Sequence, residues 1–242
     1  MNSVLITGAN RGIGLQLVKH YSQKQWQVYA TYRDEHQDLL EYTKQYDNLT
    51  LLKLDVSCVD SINKLKRSMT GIGLQLLINN AGIHGDRSHR FGATEQQNID
   101  KWHETFTINT IAPMLITEAL LDNLKLGALA DKAAKAENPE AKVAFITSKM
   151  GSIADNSSGG SYVYRSSKAA LNSVVKSLSH DVKADNISVA AIHPGWVKTR
   201  MGGPNGLIDV ETSVAGISQV IEQMNQQNSG QFVNYDGNTI PW

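Results

Sequence analysis

One cysteine, Cys58, is all the chain has, so no disulfide can form within it. That fits a reducing compartment, and the cytoplasm is the expected location. Cys58 follows an apolar run and reads as a buried structural thiol rather than a nucleophile. An excess of either charge is also missing, since Lys plus Arg and Asp plus Glu both number 23. No global basic field exists to attract nucleic acid or anionic lipid, so any anion site must be local. No apolar stretch approaches the ~20 residues that a membrane helix needs. The start, Met-Asn-Ser-Val-Leu-Ile-Thr-Gly, lacks the basic opening of a secretion signal. His84, His103 and His193 stand at no metal-ligand spacing with a cysteine or carboxylate cluster. They read as structural or rim residues, and no metal is expected.

What is present is an alternation. Short apolar runs at 4–6, 26–31, 49–54, 74–78, 142–147, 187–192 and 231–234 read as strands. Between them lie helical patterns at 13–21, 35–46, 58–69, 98–124, 162–184 and 211–226. Pro113 is a candidate bend in the longest of these. Residues 125–141 read as a helix end followed by an exposed loop. The repeated β-α order with near-continuous apolar strands predicts one α/β domain over 1–242. It is a doubly wound, Rossmann-type parallel sheet with helices on both faces. No linker, repeat or charge block divides it. The loops 84–97, 151–161 and 200–208 are the candidates for shaping a pocket.

Residues 7–14 read Thr-Gly-Ala-Asn-Arg-Gly-Ile-Gly, after the first strand and into the first helix. Gly8 permits a sharp turn, Gly12 lets a phosphate approach the backbone, and Gly14 lets helix and strand pack closely. The backbone of Asn10, Arg11, Gly12 and Ile13 at that helix start can hold a pyrophosphate. The lysine-serine pair of a nucleotide-triphosphate loop is absent, which disfavours triphosphate hydrolysis. At the end of the second strand Arg33, with Arg11, can pair with a 2′-phosphate, so NADP(H) is expected over NAD(H). Asp34 is the competing feature, because an acidic residue there would suit a free ribose. Asp55-Val56 ends the third strand, and the Asp55 carboxylate can accept from an adenine or cap the helix near Ser57. Asn80, Ala81 and Gly82 end the fourth strand, small enough for a cofactor to pass. Pro194, Gly195, Val197 and Thr199 follow the sixth strand, where a loop lies over the nicotinamide side of such a crevice.

The chemistry is expected from Tyr164 and Lys168, whose i, i+4 spacing puts them on one helix face. A neighbouring ammonium favours the phenolate and brings a phenol toward useful proton-transfer range. Tyr162 is the weaker candidate, because Ser166 stands at its i+4 position. Ser148, at the end of the fifth strand, can donate to a carbonyl oxygen, or be a turn or cap residue. Asn109, mid-helix, can hold a water linking Lys168 to solvent, or be satisfied within its helix.

These motifs, in this order, resemble the short-chain dehydrogenase/reductase family in its short, single-domain branch. The resemblance implies a tetrad of Asn109, Ser148, Tyr164 and Lys168 and a cofactor loop at Gly8, Gly12 and Gly14. It further implies about seven strands, hydride transfer at nicotinamide C4 between carbonyl and alcohol, and homodimers or homotetramers. Residues 162–172 and 230–242 are similar to C-factor/sniffer-type carbonyl reductases. The 16 positions from Ser148 to Tyr164 are slightly more than is common in the family, with the extra residues within 151–161. A dinucleotide-binding signalling protein with little turnover is the alternative reading. An epimerase or dehydratase is disfavoured by the short length.

Overall fold

A computed structural model describes residues 1–34, 36–85, 91, 99–133 and 140–242. Its strands are β1 Ser3–Ile6, β2 Gln27–Tyr32, β3 Leu49–Lys53, β4 Leu76–Asn79, β5 Ala141–Ile146, β6 Ile187–His193 and β7 Gln231–Asn234. All pair in parallel, in the order β3-β2-β1-β4-β5-β6-β7. The sheet is therefore doubly wound, and its direction of travel reverses between β1 and β4. The helices are α1 Gly12–Gln23, α2 Gln37–Thr43, α3 Val59–Ser68, α4 Ile99–Phe106, α5 Ala112–Ala119, α6 Leu121–Ala133, α7 Tyr162–Asp181 and α8 Val210–Gln223.

Successive strand side chains point to opposite faces, and both faces here are covered. Val4, Ile6, Ile78, Ala144 and Ile192 pack with Leu17, Leu39 and Ile217 of α1, α2 and α8. Leu5, Leu77, Phe145 and Val189 pack with Ile62, Ile116, Leu171 and Val175 of α3, α5 and α7. The continuous apolar strands are explained by this double burial.

Two expectations need correction. The span 98–124 is not one helix. It is α4, a π turn at Thr107–Ile111, and α5, with α6 beginning after Leu120. Pro113 has no N–H to give the carbonyl of Asn109, four residues earlier, so the ladder widens immediately before it. Of residues 125–141, read as a helix end followed by an exposed loop, 125–133 are the end of α6, where Leu, Ala and Lys favour helix. Residues 134–139 lie outside the described residues, as do 86–90 and 92–97 of the predicted 84–97 loop and residue 98 of the predicted helix. Cys58 is exposed at the N-cap of α3, because the chain has turned outward through Asp55–Ser57. Among the described residues no helix is long and apolar enough to cross a membrane, and no metal-ligating cluster forms.

Candidate active site

The crevice lies beyond the ends of β1 and β4, where the sheet order reverses. Thr7 and Asn80 bind the two strands together there. Thr7 Oγ1 accepts from the backbone of Asn80 and Ala81, each at 3.0 Å. Asn80 Nδ2 donates to the carbonyls of Thr7, at 2.9 Å, and Gly8, at 3.0 Å. This brings Gly8 so near Ala81 that a Cβ on Gly8 would stand 2.9 Å from Ala81 Cα. A Cβ on Gly14 would collide with the Gly8 carbonyl. Both glycines are sterically required, and Gly12 has a φ of +54° that favours glycine.

The resulting helix start fits a pyrophosphate. Arg11, the N-cap of α1, gives no side-chain hydrogen bond to the helix, and the first turn holds no acid. Its N–H groups face an anion-ready mouth. Asn10 and Ile13 line the turn half-buried. Thr199 closes the far side, since a Cβ on Gly12 would lie 3.5 Å from its Cγ2. Thr199 is itself held, its Oγ1 accepting from Gly202 N at 3.0 Å. The preceding loop is anchored where Pro194 O accepts from Ser213 Oγ at 2.6 Å and buried Val197 bridges Ile208. Gly195 fits tightly against Ile208 and Tyr235.

The adenosine end is more open. Arg33 is exposed and its Nε donates to Asp34 Oδ2 at 2.8 Å. His36 stacks on Tyr32 at 3.9 Å, which shapes this corner. Asp55 Oδ1 accepts from Ser57 N at 2.9 Å and Ser57 Oγ at 2.6 Å. The Ser57 hydroxyl holds the Asp55 carboxyl below its ordinary pKa. Val56 beside it is half-buried.

The reacting end is buried. Tyr164 is 8 % and Lys168 4 % exposed, whereas Tyr162 is 39 % exposed. Lys168 Nζ donates to Ile146 O at 2.9 Å. Burial pushes its ammonium down to a pKa of about 8. Gly82 lies opposite, with a notional Cβ 3.3 Å from Asn109 Oδ1 and 3.7 Å from Lys168 Nζ. Ser148 begins a 3₁₀ turn, Lys149–Gly151, and its Oγ accepts from Met150 N at 3.1 Å. That turn lies tight on α7, since a Cβ on Gly151 would meet the Lys168 carbonyl carbon at 2.8 Å. Ser148 is thereby set beside the Tyr164–Lys168 turn.

Asn109 sits in the π turn, and its amide is well occupied. Nδ2 donates to Ile83 O at 2.8 Å and Ser167 Oγ at 3.1 Å; Oδ1 accepts from Ile83 N at 2.9 Å. The amide is thus satisfied across the crevice, not within its own helix. Two contributors escaped the sequence reading. Ser167 links Asn109 to α7, and its Oγ donates to Tyr164 O at 2.9 Å. His84 stacks on the Tyr164 ring, with centroids 4.2 Å apart and planes 9° from parallel. Its place just after Asn79-Asn80-Ala81-Gly82-Ile83 was the available signal.

The comparisons with known proteins agree with this geometry. A family profile described as short chain dehydrogenase matches residues 2–206. The carbonyl reductase Sniffer of Drosophila melanogaster is 38 % identical over all of both chains, with a TM-score of 0.89. The NADPH-bound carbonyl reductase from chicken fatty liver is 35 % identical, covering 100 % of this chain and 99 % of its own, with a TM-score of 0.88. The C-signal of Myxococcus xanthus is 40 % identical over 169 residues, which is 70 % of this chain and 93 % of that protein. With the crevice, the glycine turn and the Tyr164–Lys168 face in place, the chain belongs to the short-chain dehydrogenase/reductase family and is an NAD(P)-dependent oxidoreductase.

Proposed function

We propose that the protein interconverts a ketone or aldehyde and its alcohol, using NADP(H). The observation that carries this is the buried Tyr164–Lys168 face opposite Gly82 and Asn109, beyond the strand ends. The nicotinamide, when bound, supplies or accepts the hydride at its C4. Ser148 steadies the carbonyl oxygen; its Oγ accepts from Met150 N, which leaves its O–H to donate. Tyr164 gives that oxygen its proton. The Lys168 ammonium favours the phenolate left behind and holds the ribose hydroxyls. With three amide contacts made, Asn109 fixes the Ile83 and Ser167 walls and keeps one acceptor position for a relay water. Gly8, Gly12, Gly14 and the first turn of α1 hold the pyrophosphate. Asp55-Val56 flank the adenine, and Pro194, Gly195, Val197 and Thr199 border the nicotinamide.

Tyr164→Phe is expected to leave NADPH affinity within about twofold and to lower turnover at least ~100-fold, the usual size of a general acid–base contribution. Loss of NADPH absorbance with a panel of ketones and aldehydes reads this. Full activity in that variant would end the proposal.

The preference for NADP(H) rests on Arg33 and Arg11. An exposed ion pair such as Arg33–Asp34 is worth ~0–1 kcal/mol, so Arg33 can leave Asp34 for a phosphate. Arg33→Ala is expected to weaken NADPH about tenfold, near 1.4 kcal/mol, and NADH hardly at all. Fluorescence titration of both cofactors measures the ratio, and equal losses would remove the assignment.

The likeness to the C-signal favours one other reading, a dinucleotide-binding signalling protein with little turnover. Tight NADPH binding with no turnover across the carbonyl panel would select it. The proposed setting is the cytoplasm, as a homodimer or homotetramer, with exposed Ile99 and Ile111 offering apolar surface for association.

A further inference from the structure

We infer that His84 is a positioning residue for the Tyr164 phenol, its imidazole being the fixed face against which the reacting ring is held. The inference rests on Tyr164 as the acid/base of the proposed reaction. It begins with where α7 places the phenol. Gly159, Gly160 and Ser161 all have positive φ, and Ser161, the N-cap, makes no side-chain cap bond. Tyr164 is the third residue of this helix. The backbone of this turn is held, with Arg165 N donating to Ser161 O at 2.9 Å, but backbone bonds do not set the torsion of a phenol ring. The Ser167 hydroxyl restrains the Tyr164 carbonyl but not the ring. Packing against the ring face is a direct restraint on its orientation.

His84 supplies that packing as a near-parallel stack at 4.2 Å. Its own support is firm on both sides. Before it, the Asn109 amide grips both the N–H and the carbonyl of Ile83. After it, Gly85 at φ +69° fits against Thr105, where a Cβ would stand 2.6 Å from Oγ1. The imidazole is thus a ledge built on α4 and the π turn, while the phenol projects from the first turn of α7. A stack of this kind biases the ring toward its held position by about two- to tenfold. Proton transfer needs the donor within hydrogen-bond reach of the carbonyl oxygen, so that bias passes to turnover and not to cofactor affinity.

The test uses the full-length protein with NADPH and 4-nitrobenzaldehyde as probe, and 3-fluorotyrosine labelling for a ligand-free readout. The Tyr164 fluorine signal is assigned by its loss in Tyr164→Phe. His84→Ala is expected to lower kcat about five- to tenfold, leave KM and the NADPH dissociation constant within about twofold, and broaden the Tyr164 signal. His84→Phe, which restores a stacking face without a ring nitrogen, is expected to recover kcat to within about threefold and sharpen the signal. Should His84→Ala fail to fold, His84→Leu fills the volume without a ring and serves in its place. Wild-type kcat and an unchanged fluorine signal in the Ala or Leu variant would overturn the inference. So would a folded His84→Phe that stays as impaired as Ala, because the nitrogens rather than the ring face would then be at work. If Tyr164→Phe keeps activity, or the probe is not turned over, the acid/base reading is what is questioned. The fluorine signal still decides the role of His84.

Discussion

Lys168 is a cation folded into a place with little room for charge. Burial alone lowers its pKa from 10.5 to about 8, and its hydrogen bond to Ile146 O does not offset that. Below about 8 the folded and unfolded chains both carry the proton, and the burial penalty is constant. Between about 8 and 10.5 the unfolded chain holds more protons, so this group's contribution to stability rises with pH across that window. In the ligand-free protein, any melting-temperature advantage of Lys168→Met over the wild type should therefore shrink from pH 8 to pH 10. A difference that stays constant with pH would mean the ammonium is not desolvated. The i, i+4 pairing of Tyr164 and Lys168 was legible in the sequence, because helix geometry is local. The depth of burial and the His84 stack were not, because both depend on segments distant along the chain.

Among the elements, the segment after β7 has a role its position does not advertise. Thr239 bridges back to Val233, and Ile240 N donates to Phe232 O at 2.9 Å. The chain then crosses to the turn after β5. Ser152 Oγ donates to Pro241 O at 2.5 Å, Ala154 N donates to Trp242 O at 3.0 Å, and Trp242 packs on Phe232 at 5.4 Å. Residues 239–242 thus strap down the start of the 152–161 loop. Ser152→Ala removes one hydrogen bond of the strap and strands the Asp155 N–H that Ser152 Oγ accepts. It is expected to raise KM for a carbonyl substrate about fivefold with little change in NADPH affinity, the effect of ~1 kcal/mol. Steady-state kinetics, with hydrogen exchange over 152–161, measures both sides, and unchanged exchange there would deny the strap. The element pattern explains why strands were easier to locate than helix breaks. A strand buried on both faces has an unmistakable apolar run. The break at Thr107–Ile111 arises from one missing N–H at Pro113, which leaves the apolar pattern around it intact.

For the molecule as a unit, the α/β order, the parallel sheet and the crevice side were legible because they follow from alternation and connection rules. Gly8, Gly14, Asn80 and Thr199 could be singled out in the sequence as candidates, but their mutual contacts could not. The substrate is left unspecified by the fold, since substrate-facing loops vary independently of the sheet that carries them.

The hook from Asn80 to the Thr7 and Gly8 carbonyls spans 73 and 72 positions of chain. The glycine turn at residues 7–14 precedes β4 along the chain, yet its shape is imposed by that later strand. During synthesis, a nascent chain that has not yet delivered β4 has no finished cradle to offer. On the proposed reading, dinucleotide capture therefore follows the pairing of β4 with β1 and cannot seed it.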